Sequence, residues 1–131
     1  MYETKLNRLI TTWRGEWGNQ KLQFFIVQLP NIRAISNNPV ELGDKWPIIR
    51  ESQAKVANQD SIYMAVTIDI GESESVHPKN KKDVGFRLAL LAEKNIYGNN
   101  VVCNGPVYDS HYITWDTVVV SFNYIAAGLK Y

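Results

Sequence analysis

The chain has 131 residues, 45% of them apolar and 21% charged, with a formal net charge of +1. That is room for one domain with a real core, and it excludes a charge field that would gather nucleic acid or an anionic membrane. A single cysteine, Cys103, excludes an internal disulfide and a cysteine-built zinc site.

In chain order, Leu6, Leu9, Ile10, Trp13 and Trp17 follow helical spacing, and Gly18 stands where a glycine ends a helix. The start has no continuous apolar stretch of the kind a signal peptide needs. Phe24 to Leu29 is an apolar run closed by Pro30, which suits a parallel strand covered on both faces. A polar loop over residues 31–44 ends at Asp44, a candidate N-cap for a helix from about Trp46 to Ala57. Ile62 to Ile68 is expected to form a second buried strand. Asn80 or Asp83 then caps a helix carrying Val84, Leu88, Leu91, Ala92 and Ile96, ended by Gly98. Beyond it, Val101–Cys103, Tyr112–Trp115 and Val118–Phe122 are expected as short strands, with a hairpin turn at Asp116-Thr117. The pattern predicts half of an α/β layered domain with a parallel sheet, followed by a short β tail.

In an open parallel sheet, chemistry collects beyond the carboxyl ends of the strands. His77 stands in the loop that leaves the second predicted strand, and an imidazole titrates near neutrality, as a general base must. Glu74, three residues earlier, is close enough in sequence to fix the imidazole's tautomer, and Ser75 offers the same more weakly. The competing reading is a polar loop that only introduces the helix at His77-Pro78. No serine has a nucleophile motif: Ser73 and Ser75 are too near His77, and none lies in Gly-x-Ser-x-Gly. His77 and His111, far apart in sequence and without clustered carboxylates, make no ligand cage, so neither metal nor cofactor is expected. The chain supplies a base and an orienting group, and no nucleophile for them.

The segments FFIVQLPNI, WPIIRESQAKV, MAVTIDIGESESVHPKNKKDVGFRLALLA, NGPVYDS and VVVSFNYIAAGL, in this order, resemble the sialate O-acetylesterase family. Its members are serine esterases of the SGNH-hydrolase superfamily that remove acetyl groups from sialic acids and other sugars. TTWRGEWG, residues 11–18, is similar to the family's Trp-Arg-x-x-Trp-Gly helix end. The resemblance implies a partial three-layer, parallel-sheet domain of SGNH or flavodoxin-like type. It would occupy residues 1–103, with residues 104–131 beginning a β-strand accessory element.

By the same resemblance, His77 matches the catalytic histidine. Ser75 stands where family members often carry an aspartate, and Glu74 holds the spacing other SGNH enzymes use. Asp69 matches a strand-end position whose expected role is structural. The family's nucleophilic serine and its oxyanion-hole glycine and asparagine precede the Trp-Arg-x-x-Trp-Gly helix. The expectation is therefore the C-terminal half of an esterase domain, acting on an acetylated sugar only in a complete enzyme. A homo-oligomer or a complementing N-terminal half is expected as partner, and a secreted or periplasmic parent is implied. Two alternatives stay open: a non-catalytic sugar-binding or assembly module displaying Trp46, Tyr108 and Trp115, and one chain of a split esterase.

Overall fold

The computed structural model describes residues 1–33 and 45–125, and among these it forms three helices and four strands. In chain order they are α1 (Tyr2–Glu16), β1 (Phe24–Val27), α2 (Trp46–Ala57), β2 (Ile62–Ala65), α3 (Lys81–Asn95), β3 (Val107–Thr114) and β4 (Thr117–Asn123). The chain divides into two units, Met1–Ala89 and Leu90–Tyr131. The candidate cap Asp44 lies outside the described residues.

In the first unit β1 and β2 pair in parallel, Phe24 with Ile62 through Val27 with Ala65. Side chains alternate across a strand. Phe24 and Ile26 pack with Leu6 and Ala57 against the buried Ile10, Val56 and Ile62, which ties α1 and α2 to the sheet. Phe25 meets its register partner Tyr63 at a ring separation of 5.2 Å. β1 is only half-buried and Val27 is exposed, so the expected covering of both faces is not formed among the described residues.

Arg14, near the end of α1, explains part of the Trp-Arg-rich segment. Its guanidinium donates to the carbonyls of Leu22 (3.1 Å) and Asp60 (3.0 Å) and lies over the Phe24 ring. One side chain therefore holds the entry ends of both parallel strands. Gly18 adopts φ 61°, the left-handed conformation expected of a residue that closes a helix.

The exit ends are held as deliberately. Gln53, buried on α2, accepts the Leu29 amide at 2.9 Å through Oε1 where β1 finishes. β2 stops at Ala65, three residues short of the expected Ile68, because the carbonyls and side chains beyond it are used elsewhere. Val66 O accepts from Arg87, and the buried Thr67 hydroxyl donates to Gln28 O.

In the second unit β3 and β4 form an antiparallel hairpin. Thr114 pairs with Thr117, so the turn residues are Trp115 and Asp116, one residue earlier than the sequence suggests. Trp115 has φ 54°. It occupies the first central position of a two-residue turn, where a positive φ normally calls for glycine. Residues 101–103 form no strand, and β3 starts at Val107 instead. No described helix is long and apolar enough to cross a membrane.

Candidate functional site

The residues between β2 and α3 form a loop fastened at both ends to α3. At its start, Asp69 takes a two-pronged bond from Arg87: Nη1 to Oδ1 and Nη2 to Oδ2, each 2.6 Å. Arg87 Nη1 also donates to Val66 O at 2.6 Å, so the guanidinium fixes strand exit and loop entry together. A planar fork matched to a carboxylate gives direction as well as strength. Arg87 holds the Asp69 carboxyl below the usual aspartate range by this hydrogen bonding, opposed in part by burial. At the loop's end, Asn80 and Asp83 cap α3 reciprocally. Asn80 Oδ1 accepts the Asp83 amide at 3.1 Å, and Asn80 Nδ2 donates to Asp83 Oδ2 at 2.7 Å.

Between these anchors the loop leans on the segment that follows β1. The Gly71 amide donates to Asn31 Oδ1 at 2.7 Å, and the Arg33 amide donates to Ser73 O at 2.8 Å. A side chain on Gly71 would put Cβ 2.0 Å from Asn31 O, so the close approach needs glycine. Glu72 and Ser75 form an isolated antiparallel bridge. Glu72 Oε1 then reaches forward to accept the Lys79 amide at 2.7 Å, with Lys79 Nζ 3.6 Å from Oε2. The Lys79 amide holds the Glu72 carboxyl below the usual glutamate range against the opposing effect of burial, and the charges of Lys79 and Lys81 add smaller contributions in the same downward direction.

His77 sits in this loop, exposed, with Pro78 buried behind it. The Ser75 hydroxyl accepts the His77 amide at 3.1 Å and donates to its carbonyl at 3.2 Å. Ser75 therefore engages the backbone of His77 and not its ring. Glu74 is exposed, and no hydrogen bond joins it to the imidazole. Asp69 is committed to Arg87, in keeping with a structural role. No described group of His, Cys, Asp or Glu is arranged to hold a metal ion.

His111 lies in β3, where Nδ1 is 2.6 Å from the Tyr108 hydroxyl. Of the aromatics proposed for sugar contact, Trp46 is half-buried and donates Nε1 to Pro30 O at 2.7 Å, so it is not an exposed platform. Tyr108 and Trp115 are exposed, but they stand at opposite ends of β3. At about 3.4 Å per residue that separation is too long for both to stack on one sugar ring.

Glu72, Asn31 and Arg87 carry the loop, and local sequence patterns do not single them out. Glu72 works across seven residues, Arg87 across eighteen and Asn31 across forty. Only the Asn80–Asp83 cap has a short-range signature.

No family model matches the chain, and no curated protein matches it. Among solved structures, the chain is similar to a carbohydrate acetylesterase from Xanthomonas citri. The two are 36% identical with a TM-score of 0.82, over 94% of this chain and 28% of that one. The chain thus spans little more than a quarter of the length of that enzyme.

Proposed function

We propose that this chain is the histidine-bearing part of a carbohydrate O-acetylesterase of sialate O-acetylesterase type, with an SGNH-like three-layer architecture completed by residues it does not contain. The observation that carries the proposal is His77, exposed in a multiply anchored loop at the carboxyl end of β2, within a fold similar to a carbohydrate acetylesterase. The substrate class is an acetylated sugar, sialic acid or another glycan.

In this mechanism His77 takes the proton of a serine nucleophile as the serine attacks the acetyl carbonyl. It gives that proton to the sugar oxygen as the acyl carbon–oxygen bond breaks and acetyl-serine forms, then activates a water that cleaves the acetyl-serine to acetate and free serine. Serine and oxyanion donors would come from outside these 131 residues, and one such donor alone is worth about 2.7–4 kcal/mol. The triad acid would be Glu74, whose carboxylate must then turn toward the ring when the site is complete. Ser75, where the family often carries an aspartate, would orient His77 more weakly through its hydroxyl's bonds to the His77 backbone. Residues 104–131 would begin the β accessory element.

The partner would be an N-terminal esterase half or a second copy of the chain. β1 and β2 each leave one edge without a strand partner among the described residues, and such edges invite pairing. A monodisperse monomer in sedimentation at high concentration would count against this.

The test is complementation. The chain alone should not hydrolyse an activated acetyl ester above a heat-denatured control, whereas adding an esterase N-terminal half, in trans or fused, should restore turnover. His77→Ala should abolish that turnover and His111→Ala should leave it largely intact. Equal activity with and without His77 would remove the catalytic assignment.

A further inference from the structure

We propose that Glu72 is a positioning residue for His77, fixing the backbone turn that presents the imidazole by accepting the Lys79 amide. The inference rests on reading His77 as the base. It adds a residue that neither the histidine motif nor the triad pattern marks.

The turn is held from both sides of His77. On one side, the Ser75 hydroxyl binds both the amide and the carbonyl of His77. On the other, Pro78 is buried and the next amide, Lys79, ends on Glu72 Oε1 at 2.7 Å. The Glu72–Ser75 bridge makes Glu72 the base of the same small loop, so its carboxylate closes a ring of main chain around His77. Without that acceptor the Lys79 amide turns to water, since the residue is exposed. Little global stability is then at stake, yet the peptide after His77 is free to rotate. A displacement of about 1 Å at a reacting group can cost up to 100-fold in rate. The groups facing the carboxylate are Lys79, through its amide and its ammonium, and Lys81 by charge. A carboxylate accepting an amide under such charges is a stronger, more directional acceptor than a neutral oxygen.

The first measurement uses the chain as it stands. Residual dipolar couplings of the His77 and Lys79 N–H vectors should change in Glu72→Ala and return toward wild-type values in Glu72→Gln, whose amide oxygen still accepts. The Lys79 amide proton should also shift as the Glu72 carboxyl titrates. Unchanged couplings in the alanine variant, or a Lys79 proton indifferent to that titration, would overturn the proposal.

The second measurement uses the complemented esterase. There Glu72→Ala should lower kcat about 10- to 100-fold, with KM and Tm nearly unchanged, and Glu72→Gln should recover most of the loss. Wild-type kcat in the alanine variant would refute the positioning role. Inactivity of the complemented wild type would instead refute the esterase reading, while the coupling measurement still decides whether Glu72 sets the turn.

Discussion

The parallel pair β1–β2 and the antiparallel hairpin β3–β4 are both two-stranded sheets, yet they are held by different means. β1 and β2 are four residues each and cannot be joined by a tight turn, so their pairing depends on what surrounds it. Ile10, Val56 and Ile62 bury the helix-facing side, Arg14 ties the entry ends, and Gln53 and Arg87 tie the exits. β3 and β4 are longer and nearly every residue in them is exposed, as is Trp115 in the turn that joins them, at 99%. The hairpin's order comes from its own ladder, its turn and cross-strand pairs such as Ile113–Val118 and Tyr108–Phe122. One sheet is made by long-range packing and the other by local pairing. The candidate site hangs from the first, which is the kind of scaffold that can place a side chain firmly.

The largest test of this contrast is Ile10→Ala. Ile10 is 2% exposed at the centre of the cluster, so its truncation should cost about 2–5 kcal/mol. Chemical denaturation followed by tyrosine and tryptophan fluorescence should show the drop. A loss under 1 kcal/mol would mean that the parallel pair does not depend on this core.

Next in size is Gly71→Ala. With Asn31 O 2.0 Å from the new Cβ, the loop must move or the segment after β1 must yield, at about 1–3 kcal/mol. Amide chemical shifts from Asn31 to Arg33 and from Gly71 to Lys79 should move together. Shifts confined to residue 71 would show that the two segments are not mutually supporting.

Asp69→Asn should have a smaller effect, at most about 1 kcal/mol at neutral pH, because the pair is partly exposed and screened by solvent. The sign with pH follows from the lowered carboxyl. Its stabilisation is fully present above the ordinary aspartate pKa of about 3.9 and is lost as pH falls through the lowered folded value. The asparagine variant should therefore lose part of the acid-side slope of stability against pH. An unchanged slope would assign the acid sensitivity to other carboxylates.

The smallest effect, of opposite sign, is expected at the hairpin. Trp115→Gly should relieve the positive φ of a non-glycine turn residue, partly offset by glycine's entropy, for a gain of about 0.5–1 kcal/mol in hairpin stability. Hydrogen exchange of the β3 and β4 amides reads this directly. Faster exchange in the glycine variant would show that the tryptophan holds the turn by contacts of its own.

What the sequence determined by itself are the features written in neighbouring residues. The apolar period of α1 and its closing Gly18, the apolar run of β1, the Asn80 cap of α3 and Gly98 at φ 70° all follow from local sterics and hydrogen bonding. The loop position of His77 after a strand was legible for the same reason. Where local chemistry pointed two ways, the tertiary structure decided. Asp116-Thr117 looks more like a turn than Trp115-Asp116, yet the Thr114–Thr117 pairing sets the register, and one step of register reverses the face of every side chain. The last residues expected in β2 left the ladder because Arg87, eighteen positions from Asp69 in sequence, claimed the strand's exit. Ser75, placed by sequence beside the imidazole, was drawn to the His77 backbone, and Glu72, not Glu74, reaches across the loop. A side chain's spacing from a histidine limits what it can reach, but which acceptor it serves depends on where the chain brings the competing donors.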